Sequence, residues 1–102
     1  MNDKELLIEQ LKTKLHITWN HSKTNEELAL IVDNAENYMN HLLGAEIDYT
    51  APGMGNLLFL AYCSYIWNDC ESEFEEAYQK DILRAQAYYE VKSYEEKNTG
   101  VE

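Results

Sequence analysis

Leu57-Leu58-Phe59-Leu60-Ala61-Tyr62-Cys63-Ser64-Tyr65-Ile66-Trp67 is the stretch on which the reading of this chain turns. Only Ser64 interrupts an apolar run of 11 residues, and a membrane span needs about 20. The run therefore reads as a buried helix, placed at about residues 55–69. A helix without a polar face must be covered on every side. In a chain of 102 residues few neighbours are available for that, so part of the cover is expected from another subunit.

Upstream of this helix, residues 45–54 read as a loop, punctuated by Pro52 and Gly53 with Gly55 just beyond. Loops of such length in compact domains are often functional or mobile. Before it, Leu28, Ile31, Val32, Ala35, Met39 and Leu42 recur at helical spacing and stop at Gly44, a residue suited to the left-handed position past a helix end. Thr24-Asn25-Glu26-Glu27 has the form of a capping box, which places this helix at residues 25–43. The connection 17–23 carries Trp19. A first amphipathic helix spans residues 3–15, with Leu7, Ile8, Leu11 and Leu15 on one face.

Downstream, Ser72-Glu73-Phe74-Glu75 resembles a second capping box and opens a fourth helix over residues 73–97. Phe74, Tyr78, Ile82, Ala85 and Tyr89 form its stripe. A helix of about 25 residues is nearly 40 Å long, more than the diameter of so small a domain, so its far end should project. With one proline and four glycines in the whole chain, the expected fold is all-α: one four-helix domain with a long projecting C-terminal helix.

Charge bounds the function. The chain carries 19 Asp and Glu against 8 Lys and Arg, a net charge of −11. Arg84 is its only arginine, and the lysines are scattered, so tight binding to DNA, RNA or anionic lipid is not expected. The opening Met1-Asn2-Asp3-Lys4-Glu5 lacks a basic region followed by an apolar one, so no signal peptide and a cytosolic chain are expected. Cys63 and Cys70 lie two helical turns, about 10 Å, apart, too far to bridge.

No catalytic, cofactor-binding or metal-ligating residue emerges. His16, His21 and His41 lack the i, i+4 pairing of a helical metal site, and no Cys-x-x-Cys occurs. Ser64 lacks a nucleophile elbow. Gly53-Met54-Gly55 follows no strand and reads as loop. The acidic residues Asp69, Glu71, Glu73, Glu75 and Glu76 read as a solvated connection with charge favourable to a helix start. The chain is accordingly expected not to be an enzyme, and no cofactor is expected.

Eight tyrosines and two tryptophans leave aromatics for both core and contact. Tyr62, Tyr65, Trp67, Tyr78 and Tyr89 are expected in the core. Tyr88 and Tyr94, on the projecting helix, and Tyr49, in the long loop, are harder to bury within one subunit, and exposed tyrosines anchor interfaces. With Trp19, Met54 and Arg84 they make six candidate subunit or partner contacts.

Two blocks of sequence bring a family into view. Glu5-Leu6-Leu7, Leu11-Lys12-Thr13-Lys14-Leu15-His16-Ile17-Thr18-Trp19 and Leu42-Leu43-Gly44 with Ile47-Asp48 precede the apolar third helix. Glu73-Phe74-Glu75-Glu76-Ala77-Tyr78-Gln79-Lys80-Asp81-Ile82-Leu83 follows it. In order and spacing, over about residues 3–90, these resemble the small head-tail connector (head-completion adaptor) proteins of tailed bacteriophages. Members often carry arginines after the third helix and along the fourth, where this chain keeps only Arg84. The resemblance implies a subunit without catalytic residues, located at the virion head-tail interface and in the host cytoplasm during assembly. It implies a homo-oligomeric ring, twelvefold, beneath the portal protein, which extends the DNA channel and meets a tail-side stopper or terminator protein. DNA would pass through without specific binding, and no membrane is involved. The loop 45–54 and the tail after Lys92 are then expected to order on contact with partners.

A reading from another class is an acidic DNA mimic that inhibits a DNA-binding enzyme. A mimic needs carboxylates on one exposed face, whereas here they are spread over all helices and interleaved with lysines.

Overall fold

The computed structural model describes the backbone of residues 3–100 and the side chains of residues 3–92. Every element among them is helical: α1 (Asp3–Leu15), α2 (Ser22–Leu43), α3 (Met54–Trp67), a 3-10 turn (Glu71–Glu73), α4 (Phe74–Ala77) and α5 (Gln79–Gly100). None of these helices is long and apolar enough to cross a membrane.

α1 buries Leu7 and Leu11 and carries Asp3 and Glu5 in its first turn and Lys12 and Lys14 in its last, the charge order the helix dipole favours. α2 buries Leu28, Ile31, Val32, Ala35, Met39 and Leu43 on one stripe. α3 packs on both, as they do on each other, and buries Leu58, Phe59, Ala61 and Cys63. α5 packs on α2 and α3 through Ile82 and Ala85. Tyr62, Tyr65, Trp67, Tyr78 and Tyr89, expected in the core, are half-buried at its edge and pack against it.

Three helices end in the same way. His16 (φ 60°), Gly44 (φ 71°) and Asp69 (φ 57°) adopt the left-handed conformation. The next amide in each case reaches five residues back: Ile17 to Lys12, Ala45 to Asn40 and Cys70 to Tyr65, at 2.9, 3.1 and 2.8 Å. These bonds satisfy carbonyls that the helix end would leave open.

Both expected capping boxes are absent. α2 starts at Ser22, because the Nδ1 of His21 accepts from the Lys23 amide (3.2 Å) and caps the helix three residues early. Thr24 then lies inside the helix, where its hydroxyl accepts from the Trp19 indole (3.2 Å). Ser72 sits in the 3-10 turn, and α4 has no side-chain cap. The single helix expected over residues 73–97 is divided: Tyr78 leaves helical geometry (φ −114°, ψ 22°) between α4 and α5. Hydrogen bonds from Tyr78 to Phe74 and from Ile82 to Tyr78 span the joint, so the chain bends there without opening.

Phe74 explains the bend. Its ring is fully buried and packs on Tyr62 (5.0 Å), Tyr65 (5.8 Å) and Tyr78 (5.1 Å). Tyr38 stacks on Tyr62 at 4.2 Å and extends the cluster to α2. The four residues of α4 are thereby fixed by one aromatic plug. The acidic residues around it, Asp69, Glu71, Glu73, Glu75 and Glu76, are all exposed.

α3 is not covered on every side. Leu57 is 69% exposed, at the end of the helix nearest the 44–53 connection.

Candidate functional site

The connection between α2 and α3 is held from below by polar side chains on three helices. Asn40, on α2, offers its Oδ1 to the Tyr49 hydroxyl (2.8 Å) and to the Ile47 amide (3.3 Å). Asn56, on α3, donates through Nδ2 to the Tyr49 carbonyl (2.7 Å) and to the Gln10 Oε1 of α1 (2.8 Å). The Gln10 amide donates in turn to the Thr50 carbonyl. Asp48 accepts from the Thr50 amide (3.0 Å) and the Thr50 hydroxyl, which pulls its carboxyl below the ordinary aspartate range.

This latch overturns one expectation. Tyr49 is not an exposed contact: it is 2% exposed, and its ring stacks on Phe59 at 4.7 Å. Burial, with Tyr89 and Glu36 nearby, pushes its phenol above the ordinary range. Asn40, Asn56 and Gln10 supply hydrogen bonds to the loop from within the subunit. A buried tyrosine is acceptable once its hydroxyl has an acceptor, and Asn40 is that acceptor.

Above the latch lies an open cleft of about 820 Å³ between the 44–55 segment and α5. Ile47, Pro52 and Met54 give it apolar walls, Glu46 and Asp48 line it with carboxylates, and Tyr88, Tyr89 and Lys92 close it from α5. Two glycines make this geometry. Gly53 holds φ 143°, a conformation side chains rarely allow, and turns the chain into α3. Gly55 lets α5 approach: a Cβ there would stand 2.6 Å from the Tyr89 hydroxyl and 3.2 Å from Ile47. At the other end of the contact, the Gln86 amide donates to the Leu42 carbonyl of α2 (2.9 Å).

Of the six contact candidates, the structure brings together Met54 and Tyr88, which share the cleft and are 37% and 51% exposed. Trp19 is exposed on the α1–α2 connection, steered by its bond to Thr24. Arg84 is exposed one turn before Tyr88 on α5. Tyr94 lies outside the residues whose side chains are described, as does the tail after Lys92. Asn40, Asn56, Gly55 and Lys92 were missed by the sequence reading. Isolated asparagines carry no spacing signal, and Gly55 reads as one more loop glycine although its use is to admit Tyr89.

The cleft offers apolar walls, two carboxylates, two phenols and an ammonium, which suits the reception of side chains from another molecule. Among the described residues no group of three or more His, Cys, Asp or Glu is placed to hold a metal ion. Cys63 and Cys70 are both free, and burial pushes the Cys63 thiol up to about 12. Comparisons with protein-family models, curated proteins and solved structures give no match.

Proposed function

We propose that this chain is a structural assembly subunit of the head-tail joint of a tailed bacteriophage. In this reading copies form a ring, twelvefold, that seats on the portal protein, extends the DNA channel and receives a tail-side stopper or terminator. The observation that carries the proposal is the amount of apolar surface left in solvent by a fold that otherwise packs well. Leu57, Leu83, Val91 and Tyr88 are each more than half exposed. With Leu30 on α2, also more than half exposed, side chains of this kind on different helices supply the unlike faces that a ring contact needs, and aromatic and aliphatic anchors of this size dominate interface energies.

The bent α4–α5 pair would act in this reading as the fourth, projecting helix of the subunit, with the 22 residues of α5 reaching over about 33 Å. Acidity suits the same role. Twelve copies at −11 each would carry about −130, and carboxylates lining the hole would repel a duplex that bears one charge per ~1.7 Å.

Native mass spectrometry of the purified protein, alone and with the portal protein of the same genome, tests the proposal. A ring, or a complex of fixed stoichiometry with the portal, is the expected result. A monomer that ignores the portal but inhibits a DNA-binding enzyme would overturn it in favour of the DNA-mimic reading.

A further inference from the structure

α5 has two apolar faces where its place on the surface calls for one. Its inner face, Ile82, Ala85 and Tyr89, packs on the core. At 100° per residue, Leu83, Ala87 and Val91 follow one another at i, i+4 and i+8 on the opposite side. All three are exposed, Leu83 to 58% and Val91 to 57%, and Tyr88 flanks them. A surface helix ordinarily turns its polar residues outward. The charged residues on this face are Lys80 and Arg84, at i−3 and i+1 from Leu83, and Glu90, beside Val91; neither cation forms an ion pair among the described residues. In a chain of net charge −11, the strip is apolar along its length, with its two cations at the Leu83 end and its one carboxylate at the Val91 end.

A complementary surface has an apolar centre and an acidic border, and the chain carries one. On the outer face of α2, opposite its buried stripe, Leu30 stands 61% exposed. Glu26, Glu27 and Asp33 surround it at i−4, i−3 and i+3, the positions adjacent on a helix surface. All three carboxylates are exposed. Asp33 is paired with Lys4 at 2.8 Å; Lys23 is the one lysine on that face. Because α2 and α5 pack against the same core through their inner stripes, these two outer faces cannot meet within one subunit.

We propose that the outer face of α5 docks on the Leu30-centred acidic face of α2 in a second copy of this chain. Leu83 and Val91 cover Leu30, while Lys80 and Arg84 meet Glu26 and Glu27. Each copy then keeps a free α2 face at one end and a free α5 face at the other, so the contact repeats head to tail and closes into a ring when the rotation permits. The proposal rests on the ring reading above for its setting, and names the surfaces that build the ring.

Charge reversal in two variants tests it, with assembly followed by native mass spectrometry at low ionic strength, both alone and on the portal protein. One variant carries Lys80→Glu and Arg84→Glu, the other Glu26→Lys and Glu27→Lys. All four side chains are exposed, and far-UV circular dichroism checks that the helices persist. Wild type should form multimers that fall apart as salt is added. Each variant alone should stay monomeric where wild type is assembled, and an equimolar mixture should recover multimers containing both, since each then presents the charge the other lacks. If wild type assembles and both variants assemble equally well by themselves, this contact is wrong while the ring reading stands. If wild type assembles neither alone nor on the portal, the ring reading fails and this contact goes with it.

Discussion

The two connections that flank α3 solve one problem by opposite means. Residues 44–53 are held by hydrogen bonds from Asn40, Asn56 and Gln10. The segment 68–78 is held by the burial of one ring, Phe74, among three tyrosines. Hydrogen bonds are directional and each is worth about 1 kcal/mol net, so the first connection is fixed in detail at modest energy. Ring burial is non-directional and large, so the second is fixed strongly while its backbone bends at Tyr78. The cleft, with its defined walls, lies over the polar connection. The aromatic one carries an exposed acidic surface, whose Glu75 and Glu76 border a smaller and more open cleft with Leu42 and Leu83.

The difference is widest when each connection loses its central side chain. Phe74→Ala should destabilise the fold by about 3–5 kcal/mol, the cost of emptying a fully buried aromatic site, read as a lower urea midpoint. A loss below 1 kcal/mol would mean that the tyrosines close over the gap and that the plug is not what fixes α4. Asn56→Leu keeps the size of the side chain but leaves the Tyr49 carbonyl and the Gln10 side chain without their donor. It should cost about 1–3 kcal/mol, and amide exchange should quicken in residues 47–50 more than around Phe74.

Legibility in the sequence divides along the same line. Periodicity marked α1 at residues 3–15, the buried stripe of α2 and the apolar run of α3, because burial leaves a repeating pattern. Gly44 marked the end of α2 for a conformational reason. His16 and Asp69 end their helices in the same conformation, yet neither residue type announces it, since His and Asp, although enriched in the left-handed region, are found far more often outside it. The bend at Tyr78 was hidden because Phe74, Tyr78 and Ile82 continue one helical stripe across it. The latch was hidden because its logic is long-range. Gln10, Asn40 and Asn56 meet through three helices, and a tyrosine in a loop gives no sign that an acceptor nine residues away will let it be buried. Met54 and Tyr88, named as candidates from the sequence, line the cleft; the glycine that brings their walls together was not named.

A gentler change separates the two components of Tyr49 itself. Tyr49→Phe retains the stack on Phe59 and removes only the hydroxyl that donates to Asn40. The Asn40 oxygen still accepts from the Ile47 amide, so it is not orphaned, and the expected loss is about 1 kcal/mol. A loss as large as that of Phe74→Ala would erase the contrast between the two connections, because a single hydroxyl would then matter as much as a whole ring.

The smallest effect belongs to pH. Glu36, on α2, lies close enough to Tyr49 and Cys63 to raise both groups electrostatically. Its own carboxyl is raised above 4.5, first by burial and then by Asp33 and Asp3, with Lys4 opposing. A raised carboxyl means that the folded state binds this proton more tightly than the unfolded chain does. Its favourable contribution is therefore complete below pH 4.5 and is lost as pH rises through the folded value. At neutral pH the ionised group opposes folding. Glu36→Gln should accordingly raise the unfolding midpoint at pH 7, and the gain should shrink towards zero as the pH is brought below 4.5. The side chain is only partly buried, which keeps the gain small. A gain that is the same at both pH values would show that the substitution acts through packing on α2 and not through charge beside the Tyr49 latch.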